Sequence, residues 1–168
     1  MTTASVRVDP ELVRRFDRPG PRYTSYPTAV EFHDGVGEEA YREHLRRADG
    51  RSAEQPEAPL SLYIHIPFCQ RHCEYCGCHV IATPRHEVAA TYLGYVEREM
   101  ALLAEQLPNR RSLVQMHWGG GTPTYLSASE IERLFAIVTR HFRFVPGAEI
   151  AIEADPRVTT REQLATLA

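Results

Sequence analysis

Lysine is missing from this chain: all 19 basic residues are arginine. That absence excludes Schiff-base chemistry and a Walker-type phosphate lysine. Neither charge dominates, since 22 acidic residues against 19 basic ones leave a formal net charge of −3. So small an imbalance gives no electrostatic footprint for nucleic acid or an anionic membrane, and neither is expected as a partner. No run approaches the roughly 20 apolar residues of a membrane span. The opening MTTASVRVDPELVRRFD also lacks the apolar block and cleavage site of a signal peptide, so the chain reads as cytoplasmic. Cysteine is scarce as well, and its distribution is the main clue. All four cysteines, Cys69, Cys73, Cys76 and Cys78, fall within ten residues. A disulfide framework would spread them along the chain, and a reducing cytosol disfavours disulfides, so the cluster points to metal.

The 168 residues suit one domain of about 150 residues with a real core. Residues 1–59 read as an irregular N-terminal arm and linker. They hold Pro10, Pro19, Pro21, Pro27, Pro56 and Pro59, one helix near Glu38 to Arg47, and a linker from Ala48 to Ala58. From residue 60 the rhythm becomes strand, loop, helix, repeated. The expected strands are Leu60–Ile66, Leu113–Trp118 and Glu149–Ala154. The expected helices are His86–Leu107, one opening at Ser127 with Glu130 completing a capping box, and one opening near Thr159 with Glu162 as its box partner. The buried stripe of the first is Val88, Tyr92, Val96, Met100, Leu103 and Leu107. That of the second is Ile131, Leu134, Phe135, Val138 and Phe142.

Alternating strands and helices predict an α/β fold with parallel strands. Each strand has one apolar and one polar face. Leu62, Ile64 and Ile66 oppose Tyr63 and His65; Val114, Met116 and Trp118 oppose Gln115 and His117; Ile150 and Ile152 oppose Glu149 and Glu153. If the apolar faces meet the helices, the polar faces line a shared interior, with an ordinary open sheet as the plainer alternative. All three unusual loops follow strand C-termini, the edge where such folds place their chemistry.

Cys69, Cys73 and Cys76 form C-x3-C-x2-C, close enough for three thiolates to meet at one centre. An iron–sulfur cluster prefers thiolates, and three of them leave one iron open. Tetrahedral zinc, with His72, His79 or Cys78 as fourth ligand, competes. Spacing alone leaves cluster, zinc and neither open.

C-x3-C-x2-C after a strand resembles the radical S-adenosylmethionine (SAM) enzymes. Four further stretches narrow the resemblance: Ser61-Leu62-Tyr63-Ile64-His65-Ile66-Pro67-Phe68-Cys69, His117-Trp118-Gly119-Gly120-Gly121-Thr122-Pro123-Thr124, Glu153-Ala154-Asp155-Pro156-Arg157, and Arg22-Tyr23-Thr24-Ser25-Tyr26-Pro27-Thr28. Together they resemble the oxygen-independent coproporphyrinogen III oxidase family, over residues 18 to 160. The resemblance implies the first half of a partial (β/α) barrel over residues 60–168. It implies a [4Fe-4S] cluster on Cys69, Cys73 and Cys76, whose open iron is chelated by SAM, and two SAM molecules. Tyr63, Gly120 and Glu153 would contact the first SAM. Gly121, Thr122 and Tyr75 would contact the second, although Tyr75 could simply cover the cluster. Cys78 would be needed for turnover without being a ligand, with a small buried thiol as its plain alternative. Arg22, Tyr23 and Tyr26 would meet the propionates and ring of the substrate, coproporphyrinogen III, or simply belong to an arm packed on the barrel. His65 and His117 face the interior as weaker candidates.

The implied reaction is oxidative decarboxylation in haem biosynthesis. A SAM-derived radical takes a β-hydrogen from a propionate, carbon dioxide leaves, an electron passes to an acceptor and a vinyl group remains; two rounds give protoporphyrinogen IX. An electron donor for the cluster and a monomeric state are expected. One alternative is a haem chaperone-like relative. That class typically has an aromatic two positions after the third cysteine, where this chain has Cys78, and lacks the Arg22–Thr28 arm. A non-enzymatic zinc-binding module is the other. A complete β/α barrel normally needs more than about 200 residues. The chain is therefore expected to be an N-terminal piece that holds the cluster ligands without turning over substrate alone.

Overall fold

The computed structural model describes residues 9–17, 28–54 and 59–168, which divide at Gly37/Glu38 into two compact units. In the first unit, helix α1 (Pro10–Phe16) starts with proline at its first position, where no amide bond is lost. The Asp9 carboxylate caps it, accepting from the Glu11 N–H at 2.8 Å.

The second unit opens with α2 (Glu38–Glu54). Its first turns carry Glu38–Arg42 and Glu43–Arg47 pairs four residues apart, each at 2.8 Å, a spacing that supports a helix. The helix runs past Arg47 into the stretch read as linker from Ala48. The buried Asp49 carboxylate explains the extension. It accepts from the Asn109 N–H at 2.9 Å, the Asn109 amide at 2.8 Å and the Arg110 N–H at 2.9 Å. Those tertiary bonds override the turn-forming Asp49-Gly50-Arg51-Ser52 composition.

Three parallel strands, β1 (Leu60–Ile66), β4 (Ser112–Gly120) and β5 (Arg143–Ile152), form a sheet in the order β1-β4-β5. Two short strands, β2 (Phe68–Cys69) and β3 (Ile81–Ala82), pair in parallel beside it. Helices α3 (Glu87–Gln106) and α4 (Ala128–His141) pack against the apolar sheet face. Ile64, Ile66, Leu113, Met116 and Trp118 form one core with Leu93, Val96, Met100, Ile131, Leu134 and Val138. The polar sheet face lies opposite.

The apolar alternation fails at Val114, which is 40 % exposed. Pairing slips between Leu113 and Gln115 against both neighbouring strands. Val114 is thus a bulge residue, and the slip lets both Leu113 and Met116 face the core. In α4 the stripe is rotated toward Ile137, which is buried, while Phe135 is 40 % exposed and stacks on Phe144. In α3 the buried line runs through Ala89, Leu93, Val96, Met100 and Ala104, one residue round from Val88, Tyr92 and Leu103. β5 begins six residues before the expected Glu149 and ends at Ile152. Ile150, expected on the covered face, is instead exposed.

The α4 capping box forms as expected. Ser127 Oγ accepts the Glu130 N–H, and the Glu130 carboxylate accepts the Ser127 N–H at 2.8 Å. Ser127→Ala is expected to cost about 1 kcal/mol, read as a lower denaturation midpoint at unchanged slope. The last helix, α5 (Arg161–Leu167), is capped one residue later than expected, by Thr160 with Gln163 as partner. Gln163 is buried because its amide donates to the Thr124 and Leu126 carbonyls, tying α5 to the loop after β4. Among the described residues no helix is long and apolar enough to cross a membrane.

Candidate metal and cofactor site

Parallel pairing brings the C-termini of β1, β4 and β5 to one edge. The loop at 70–80, the Gly119–Gly121 run and the Glu153–Arg157 turn therefore converge there. They enclose a cavity of about 460 Å³ lined by Cys69, Cys73, Cys76 and Cys78, with Gly120, Gly121, Thr122, Glu153, Asp155 and Arg157. Nine residues singled out from sequence, His72 among them, thus share one cavity.

Cys69 is buried and rigidly placed. Its carbonyl accepts the Thr83 N–H at 3.0 Å, and Ile66 and Phe68 on its N-terminal side accept from Gly121 and Thr122 at 2.8 and 2.9 Å. Its sulfur lies 3.4 Å from Thr122 Oγ1. Gly121 permits this approach, because a Cβ there would sit 2.8 Å from the Phe68 carbonyl oxygen and 2.9 Å from Cys69 Sγ. Gly120 has φ +115°, a conformation that favours glycine.

Cys73 and Cys76 are half-buried, and the Cys76 N–H bonds the Cys73 carbonyl at 3.1 Å in a tight turn. Cys78 is exposed, not a buried thiol, and its hydrogen bond with Cys76 raises its pKa. Among the described residues no three Cys, His, Asp or Glu side chains are already gathered around a single metal position. The donor set nevertheless suits a thiolate-bound cluster. Three soft ligands line one cavity, one is fixed by strand pairing, and the others ride on a loop with no regular structure over residues 70–80.

Tyr63 and Tyr75 do not line this cavity. Tyr63 projects from the polar face of β1, and Tyr75 is 94 % exposed. The Tyr63 hydroxyl lies 3.1 Å from His65 Nδ1, and His65 Nε2 lies 2.8 Å from the His79 carbonyl oxygen. A carbonyl only accepts, so Nε2 carries the proton and Tyr63 donates to Nδ1. Desolvation and the nearby Glu153 charge push the Tyr63 phenol above its ordinary range. Arg22, Tyr23 and Tyr26 lie outside the described residues.

Sequence reasoning quoted Asp155 and Arg157 without giving them a place in the site. They form a clamp at its mouth. Arg157 donates to both Asp155 oxygens, at 2.9 Å from Nε and 2.7 Å from Nη2, and its N–H adds a bond at 3.0 Å. The Asp-Pro-Arg turn was the available signal, since aspartate commonly bonds the backbone two residues on. The guanidinium bonds and that N–H hold the Asp155 carboxyl down to about 2. A depressed carboxylate stabilises the folded state above its unfolded pKa, and that contribution is lost as pH falls through the folded value. A carboxylate NMR titration is therefore expected to place the Asp155 midpoint near 2, and Arg157→Gln, which keeps the backbone N–H bond, to raise it part of the way toward the ordinary carboxylate range.

Residues 63–168 match the Radical SAM superfamily. The chain is 43 % identical over 157 residues to oxygen-independent coproporphyrinogen III oxidase of Escherichia coli K12, covering 94 % of this chain and 33 % of that one. It is 39 % identical over 161 residues to the Helicobacter pylori 26695 protein of that name, covering 95 % and 35 %. A Mannheimia haemolytica sequence of that name is 43 % identical over 148 residues, 88 % of this chain and 96 % of that one. Among solved structures, coproporphyrinogen III oxidase from E. coli, described as a radical SAM enzyme, matches with a TM-score of 0.76 and 40 % identity. The match covers 98 % of this chain and 34 % of that one. The chain thus spans about one third of the E. coli and H. pylori relatives.

Proposed function

The chain belongs to the radical SAM superfamily, and from that premise we propose that it forms the cluster-bearing part of an oxygen-independent coproporphyrinogen III oxidase. The observation that carries this reading is the convergence of three cysteines, a glycine run and a strand-end glutamate on one cavity. Superfamily membership implies a [4Fe-4S] cluster and SAM. When bound, that pair supplies one-electron cleavage of SAM and hydrogen abstraction from a substrate propionate.

Cys69, Cys73 and Cys76 would hold the cluster. Cys69 is the fixed point, and the turn through Cys73 and Cys76 lets the other two thiolates close on it. Glu153, Tyr63 and Gly120 would contact the first SAM. With one Glu153 oxygen accepting the Gly120 N–H at 3.3 Å, the carboxylate keeps lone pairs to receive an ammonium group. Gly121 and Thr122 would present backbone to a second SAM, with Tyr75 as an aromatic cover. Cys78 would take part in turnover from beside the ligands. Arg22 would pair with propionates, and Tyr23 and Tyr26 would pack on the macrocycle. The reading includes residues 60–168 as part of a β/α barrel, preceded by an N-terminal arm and linker over residues 1–59 with a substrate-side segment near residues 22–28. It also includes a cytoplasmic monomer supplied with electrons by a separate donor.

A chimera tests it. This chain, replacing the corresponding third of the E. coli oxidase, is expected to convert coproporphyrinogen III to protoporphyrinogen IX anaerobically, and Cys69→Ser or Cys78→Ser to stop it. A folded, cluster-loaded chimera that retains haem and forms no vinyl product would favour the chaperone-like alternative.

A further inference from the structure

We infer that His117 is a positioning residue for SAM: it joins Glu153 and Tyr63 into one fixed wall at the strand edge. The inference rests on the reading of those two residues as SAM contacts and goes beyond it by naming what holds them.

The sheet register pairs Tyr63 with His117 and His117 with Ala151. Side chains facing one another across strands about 4.8 Å apart come into ring contact. The Tyr63 and His117 rings stack with centroids 5.9 Å apart and planes 10° from parallel. Glu153 lies two residues beyond Ala151 and so on the same face. Its N–H bonds the Trp118 carbonyl at 2.9 Å, which carries the pairing past the end of β5. His117 Nε2 then stands 3.3 Å from Glu153 Oε1, while Oε2 takes the Gly120 N–H. An ionised carboxylate only accepts, so His117 carries its proton on Nε2 and donates it.

The Glu153 side chain is 56 % exposed, so without these donors it would sample several rotamers. Two donors from β4 fix both oxygens before a ligand arrives, which removes an ordering cost from binding. Gly119 lets the groups converge, because a Cβ there would meet the Tyr63 ring at 3.0 Å and Glu153 Cδ at 3.1 Å. Tyr63 is tied at its other end to His65, and His65 to the His79 carbonyl. A continuous chain of contacts thus runs from the cysteine loop through His65, Tyr63 and His117 to the strand-end glutamate, and His117 is the link that reaches the carboxylate.

Titration calorimetry of SAM into the cluster-reconstituted chain, with iron content measured on the same samples, is the test. His117→Phe keeps the ring but has no donor. It is expected to weaken SAM binding about tenfold, the loss of one bond to a charged group. His117→Gln restores an amide donor at the Nε2 position and is expected to bind within about threefold of the parent. Iron content is expected to be unchanged in both. Parent-like affinity in His117→Phe, or equal weakening in both variants, overturns the inference. So does loss of iron in either variant, which would make His117 a support of the cysteine loop. An iron-loaded parent that binds no SAM overturns the reading of Tyr63 and Glu153 themselves, and the inference with it.

Discussion

Gly121→Ala is expected to strip the chain of its cluster while leaving its helices folded. The added Cβ would sit 2.8 Å from the Phe68 carbonyl oxygen, 2.9 Å from Cys69 Sγ and 3.0 Å from the Pro67 carbonyl carbon. Two of those atoms are backbone and the third is a proposed ligand, so relief requires moving the segment that fixes Cys69. That segment is held by the Gly121 N–H to Ile66 and the Thr122 N–H to Phe68, and the same substitution strains both bonds. A forced shift of this kind costs about 1–3 kcal/mol, equivalent to a loss of about fivefold to a hundredfold in iron retained against a chelator. Gly94→Ala is the matched control. Gly94 lies within α3 with nothing within 4 Å of an added Cβ. It should keep its iron and gain about 0.5–1 kcal/mol of stability.

Leu93→Ala is expected to remove about 3 kcal/mol of stability, a large share of the roughly 5–15 kcal/mol typical of a domain. Leu93 is fully buried on α3, within the core shared with Ile64, Met116 and Leu134. Truncation leaves a cavity that surrounding β-branched residues and strand backbone cannot readily fill. Val114→Ala in the same sheet should change stability by less than about 0.5 kcal/mol, because the bulge turns that side chain outward. Denaturant titration of the two variants side by side measures both. Similar losses would mean that Val114 faces the core and that the strand pairs without the slip.

That pair also shows where sequence patterning holds and where it stops. β1 follows its alternation residue for residue, Leu60 to Ile66, and the three loops do meet at the strand ends. Val114 misleads because a bulge is a property of two strands together; nothing within LVQMHW marks the extra residue. Phe135 and Ile137 flank one helical stripe, and only packing of α4 against its neighbours decides which flank is covered. The length of α2 is set by Asp49 reaching Asn109 and Arg110, sixty residues on. Thr159 and Thr160 each head a possible capping box. The Gln163 amide decides between them by bonding back to Thr124 and Leu126. In the candidate site, residue types and spacing identify the thiols and the glycine run. The His117 link to Glu153 needs the register of three strands.

The missing lysines also bear on the site. With arginine as the sole long basic side chain, the clamp at the cavity mouth is planar and bidentate: Arg157 engages both oxygens of Asp155. A guanidinium cannot lose its proton near neutral pH, and Asp155 is held ionised well below it, so the ion pair persists there.

In the proposed site Cys69, Cys73 and Cys76, and not Cys78, would hold a [4Fe-4S] cluster. The sharpest test is the Mössbauer spectrum of the chain reconstituted anaerobically with iron-57 and sulfide. A [4Fe-4S] spectrum is expected that survives Cys78→Ser and disappears in Cys76→Ser. A chain that takes up zinc tightly and yields no cluster spectrum, or one whose spectrum is lost equally in Cys78→Ser, would contradict it.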